Sequence, residues 1–255
     1  MENKMTESQP GQNVNPLKKY YRQPKQFIKL PSGYKYYPDG AIEVSESGEV
    51  AVYPMTAKDE LIFKTPDALL NGEATVTVIQ SCVPAIKNAW HMPSIDVDAT
   101  LIAIRMATYG TKMSVPITVP GTKIEKDYEL DLQATLDKLL NAQYQTTTLV
   151  GNMEITTQPL SYDQFSKMAI KSFEEARVQE LIKDQDMAEE EKLKRFQQSL
   201  TKLTDLNVSM VGDTVASVKV DGQTVTDKNM IKEFIENAEK GFFQAVLDHL
   251  ELQRQ

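Results

Sequence analysis

A chain of 255 residues with 41% apolar side chains can bury the core of one large domain or of two modest ones. Its formal net charge of −8 and pI near 5.0 argue against an extended electrostatic contact with nucleic acid or an anionic bilayer. No apolar run approaches the ~20 residues of a membrane span, and the first residues lack the apolar centre of a signal peptide, so a cytoplasmic protein is expected.

Residues 1–26 are polar, carry Pro10, Pro16 and Pro24, and show no periodic apolar face, which predicts a disordered tail. The short basic run Lys18–Lys19–Tyr20–Tyr21–Arg22 is expected to be solvated within it. Phe27–Leu30 and Tyr34–Tyr37 suggest extended pieces around the turn Pro31–Ser32–Gly33. Ala41–Val44 and Glu49–Tyr53, separated by Ser45–Gly48, suggest a tight hairpin. At Thr56 a capping box with Asp59 opens a helix. Pro66 and Gly72 bound another, Thr75–Ile79 is expected as a buried helix despite its β-branched residues, and Ala99–Tyr109, after Asp98, is the central core helix stopped by Gly110.

Beyond Gly110, Lys112–Val119 and Tyr128–Leu132 predict a second hairpin, Gln133–Asn141 a short helix, and Thr146–Val150 with Met153–Thr157 a third strand pair. The pattern changes at Ser161, which forms a capping box with Gln164; from there to Gly212 the chain has neither Gly nor Pro. Phe165, Met168, Ala169, Phe173 and Ala176 share one helical face, and Leu193, Phe196, Leu200 and Leu203 another. Val208–Val225 alternates, with turns at Gly212–Asp213 and Asp221–Gly222, and predicts a β-hairpin. A final helix from Asp227 carries the apolar face Ile231, Phe234, Ile235, Ala238, Phe242, Val246 and Leu250.

The expected fold is therefore α+β. Small antiparallel strand pairs surround a buried helix over residues 27–158, and a helical module with a β insertion at about 207–225 occupies residues 159–255. No nucleophile–base set, paired carboxylates or glycine-rich phosphate loop is apparent, so the chain is not expected to be an enzyme. Cys82 alone allows no intrachain disulfide and is expected to be buried. With only His91 and His249 besides, neither a metal nor another cofactor is expected. Trp90–His91, the acidic run Glu189–Glu191 and the packed edge residue His249 are all assigned structural roles.

The order FIKLPSGYKYY, GEVAVYPMTAKDE, LLNG, SCV and an apolar helix ending in RMATYG resembles the baseplate hub and hub-assembly proteins of T-even-type contractile-tailed bacteriophages. The resemblance covers roughly Phe27 to Leu132. Some members of that family place a cysteine pair after the equivalent of Tyr109–Gly110, where this chain reads TKMSVPITVPG, so metal binding is not implied. What it implies is a non-enzymatic role as a hub subunit or tail assembly factor, in the host cytoplasm during assembly or in the virion baseplate. The implied partners are other hub or tail proteins and the tape measure protein; a second copy of the chain is expected only as an occupant of the terminal helix's apolar face. A helical adaptor that binds one partner outside the virion is the alternative. Partner contacts are expected on the terminal helix, at Phe234, Ala238, Phe242 and Val246, and on the loop bearing Met55, Asp59 and Glu60.

Overall fold

A computed structural model describes residues 15–66, 71–118, 121, 125–184 and 188–253. Its α+β architecture has two hydrophobic cores. The first is built on α2 (Glu73–Cys82) and α3 (Ser94–Tyr109), covered by the strand pair β1 (Gln26–Ile28) and β2 (Val50–Val52). Helix α1 (Ala57–Phe63) packs beside α2, and α4 (Leu132–Asn141) beside α3, adding Leu132 and Leu136 to the core. Between α3 and α4 stands an antiparallel hairpin, β3 (Lys112–Thr118) and β4 (Glu125–Asp131), whose residues are largely exposed.

The second core belongs to a four-stranded antiparallel sheet, β5 (Thr147–Val150), β6 (Met153–Thr157), β7 (Val215–Val220) and β8 (Gln223–Val225). Helices α7 (Lys228–Asn237) and α8 (Lys240–Leu252) bring Ile231, Ile235, Phe242 and Val246 onto Ile155, Val215 and Val218. Two long helices, α5 (Tyr162–Asp184) and α6 (Glu189–Thr214), leave the sheet after β6 and return to it at β7.

Local chemistry explains the elements that match expectation. Thr56 and Asp59 form the capping box of α1, and Ser161 with Gln164 that of α5. Thr75–Ile79 is helical because burial of Ala74, Val76, Val78 and Ile79 outweighs β-branched propensity. The turn at Asp221–Gly222 joins β7 to β8 with both residues at positive φ.

Other expectations are corrected. Residues 15–26 are not a tail: Pro16–Tyr20 is a 3-10 helix, and Arg22 is bound inside the fold. Glu49–Tyr53 does not pair with Ala41–Val44. Val50 and Val52 bury their side chains beside Ile28, so β2 pairs with β1, while Ile42 makes only an isolated bridge to Ile86. Tyr34–Tyr37 is a turn rather than a strand, with Tyr34 and Tyr36 at positive φ. Its shape is fixed by the Tyr34 hydroxyl donating to Gly48 O at 2.7 Å and the Tyr37 hydroxyl donating to Asp96 at 2.9 Å. The core helix starts at Ser94, so Asp96 and Asp98 lie within it instead of before it.

Val208–Thr214 is the last part of α6, because Val211 and Thr214 are buried there; only the Val215–Val225 portion is a hairpin. The terminal helix is not continuous: it is broken at Ala238–Glu239, both extended. The break folds Phe242 back onto Phe234, ring centroids 4.9 Å apart. A boundary near residue 158 cuts a continuous sheet, since β6 pairs with β7, Ile155 level with Val218. The expected helix between Pro66 and Gly72 falls on residues 67–70, outside the described residues.

Candidate functional site

The surfaces expected from sequence are mostly interior. Val246 is fully buried and Phe242 nearly so, and Phe234 and Ala238 are half-buried against the same core. The terminal face is thus covered by the chain's own sheet, and the break at Ala238–Glu239 is what allows it to close. On the α1 loop Met55 and Glu60 are half-buried, and Asp59 is 3% exposed.

Asp59 is the centre of a lock that sequence patterning did not reveal. Arg22 Nη1 donates to Asp59 Oδ2 at 3.1 Å and to Pro54 O at 2.7 Å, and Nη2 donates to Ser81 O at 2.7 Å. Burial alone would raise the Asp59 carboxyl, but hydrogen bonds from Thr56 and Ser81 and the Arg22 charge hold it below its usual range. A second lock joins the LPSG turn to α3. Buried Asp96 accepts from Ser32 N at 2.7 Å, Ser32 Oγ at 2.6 Å and the Tyr37 hydroxyl; burial dominates, and its carboxyl is raised. Both carboxylates are held by protein donors that tie distant segments of the first core together.

Trp90 stacks on Tyr162, centroids 5.8 Å apart, where α5 meets the first core. Gly72 sits against this pair at φ +82. A Cβ there would lie 3.0 Å from Ser166 Oγ and 3.2 Å from the indole, so a larger residue would be strained at this φ and would require those side chains to give way. His91 is exposed beside it, in a hollow of about 320 Å³ lined by Asn88, Ser161 and Asp163. Asp163 is paired with Lys167 at 2.7 Å, and Ser161 with Gln164, so no acid–base pair forms with His91. His249 is buried with Nε2 3.3 Å from Thr157 Oγ1. Among the described residues no group of acidic, His and Cys side chains could hold a metal, and no helix is long and apolar enough to cross a membrane.

An exposed apolar face lies on the α5–α6 hairpin, and its polarity is inverted. The seam between the helices is polar: buried Ser199 donates to Glu175 O at 3.4 Å and accepts from Gln179 at 3.3 Å, while Lys202 pairs with Glu175 at 2.8 Å. The Lys202 hydrogen bond holds the Glu175 carboxyl below its usual range. Phe165, Phe173, Leu193, Phe196 and Leu200, from the two apolar rows read in the sequence, are between 41% and 57% exposed, while Met168 and Leu203 of the same rows are half-buried. Each row lies mainly one residue C-terminal to its seam positions, a rotation of about 100°. In an antiparallel pair that rotation carries both rows to the same side of the hairpin. At its foot the face runs into a cavity of about 630 Å³ between the two cores, lined by Phe165, Tyr162, Leu101, Tyr144, Met210 and Leu250 among others. The Tyr144 hydroxyl is buried there, with no hydrogen-bond partner within normal geometry among the described residues.

Exposed apolar faces of this kind are commonly where proteins meet partners. Comparison with curated proteins and with solved structures yields no match. Comparison with protein families does, over residues 24–253, with the family described as T4 bacteriophage base plate protein. That match spans nearly the whole chain, including both cores and the hairpin, and extends well past the Phe27–Leu132 segment that carries the resemblance in the sequence. The chain belongs to the T4 bacteriophage base plate protein family and has a phage tail baseplate role.

Proposed function

We propose that the chain is a subunit of the baseplate hub, that it makes protein–protein contacts there, and that it performs no chemistry. The observation that supports this reading is the apolar face of the α5–α6 hairpin. A transient factor must return to solution with its contact surface bare, and a contiguous apolar face is unfavourable there; a resident subunit keeps it covered, as permanent interfaces do. Neighbouring hub or tail proteins, the tape measure protein included, are the partners such a role requires. The locked carboxylates Asp59 and Asp96 fit the same reading, since their donors commit both to holding the first core together.

The test is its presence in purified phage. Immunoblotting of intact virions and isolated baseplates is expected to find the chain at stoichiometric level. A chain required for infection yet absent from virions would be an assembly factor instead. A chain that captures only non-tail proteins from infected cells would be an adaptor, and the hub reading would fall.

A further inference from the structure

From the α5–α6 hairpin we infer that the face formed by Phe173, Leu193, Phe196 and Leu200 is covered by a second copy of the same chain, in a two-fold contact that builds a four-helix bundle. The inference rests on the contact role proposed above and names the occupant.

The first argument is shape. The apolar rows of both helices lie on one side, so the face is two helices wide. A single partner helix fills the groove of such a face and leaves its flanks bare, whereas an identical hairpin matches it row for row.

The second argument is charge. The seam contacts put residue 175 level with 199 to 202 and residue 179 level with 199, which brings Arg177–Glu180 level with Phe196–Leu200. Arg177 and Glu180 lie on or beside the apolar row, are exposed, and make no ion pair among the described residues. A two-fold axis beside Phe196 sets Arg177 of one copy against Glu180 of the other, twice, and sets Leu193 against Leu200, twice. An isologous contact requires this reciprocity; a different partner would have to supply it by coincidence.

The third argument is area. The exposed aromatic and leucine side chains present on the order of 400 Å² of apolar surface. With Ala169, Ala176, Arg177, Glu180 and Gln197 around them the face approaches the ~800 Å² per partner of a stable interface. Inverted polarity completes the case. A hairpin that needed only internal stability would turn Leu193 and Leu200 inward and Ser199 and Glu175 outward, and this one does the reverse.

Sedimentation velocity of the full chain at micromolar concentration is expected to give twice the 28.7 kDa chain mass. The variant L193E/L200E changes only exposed side chains, so it is expected to keep its circular dichroism spectrum and sediment as a monomer. Arg177→Glu and Glu180→Arg are each expected to weaken association at least tenfold, and R177E/E180R in one chain to restore it. A parent chain that stays monomeric at 100 µM, as an assay ceiling of about that order, overturns the inference, as does a dimer indifferent to all of these changes. If the parent is monomeric but L193E/L200E is lost from virions, another baseplate protein occupies the face and the hub reading stands. If the parent is monomeric and that variant enters virions normally, the face is unused and the inference falls, while presence of the chain in the virion leaves the hub reading to rest on other contacts.

Discussion

Arg22→Ala is the sharpest probe of the first core, because Arg22 comes from a segment that composition assigns to a tail. The change removes donors from Asp59, Pro54 O and Ser81 O at once. Deleting one partner of a buried ion pair costs ~3–5 kcal/mol. The Arg22 side chain is 26% exposed, so water takes over part of its role, and the expected cost is toward the low end, ~2–3 kcal/mol. Arg22→Lys keeps the charge but loses the planar fork and should recover less than half. Urea unfolding followed by Trp90 fluorescence measures this directly, since Trp90 is the only tryptophan and packs on the first core. The pH dependence follows from the sign of the shift. A carboxyl held below its usual range contributes stability that is present above the unfolded value and lost as pH falls through the folded one. The gap between parent and Arg22→Ala should therefore be widest near neutrality and narrow on acidification below the ordinary carboxylate range. A penalty under ~0.5 kcal/mol at pH 7 would show that the N-terminal segment is not part of the fold. A penalty that does not change with pH would show that Asp59 is not its partner.

Ile104→Ala removes a side chain that is 2% exposed in α3 and should cost ~2–5 kcal/mol by chemical denaturation; a near-neutral result would place this helix at the surface. Phe242→Asp buries an unpaired carboxylate in the second core and should lower the melting temperature and the soluble yield, whereas a folded variant of parental stability would mean that this face is not interior. Cys82 is buried and its thiol is pushed up to about 11 by that burial, so a thiol reagent at pH 8 should label it only on unfolding; rapid native labelling would show that α2 opens.

The parts of this fold legible in the sequence are those with local causes. The capping boxes at Thr56 and Ser161 and the Asp221–Gly222 turn depend on residues a few positions apart. What was not legible depends on distant partners. Nothing near Val50 indicates that it pairs with Ile28, and nothing in Val215 indicates that it continues a sheet begun before two long helices. Arg22 and Asp96 look like ordinary solvated charges until the fold places their partners. The terminal face illustrates the limit most clearly. Its periodicity is identical in form to that of α5 and α6, yet Phe242 and Val246 point inward and Phe173 and Leu200 outward. A repeat of three and four residues tells which side chains share a side, and only the assembled chain decides what that side meets.

The hairpin departs from β6 and re-enters at β7, two strands already bonded to each other. Its base is therefore closed by the sheet, and its length is free of the rest of the fold. The 26 residues of α6 reach about 39 Å. Inserting or deleting seven residues in each helix would change that reach by about 10 Å while preserving the seam and leaving every strand pairing intact. In an assembly of fixed dimensions such an element is an adjustable spacer, with selection able to tune distance without renegotiating the anchor.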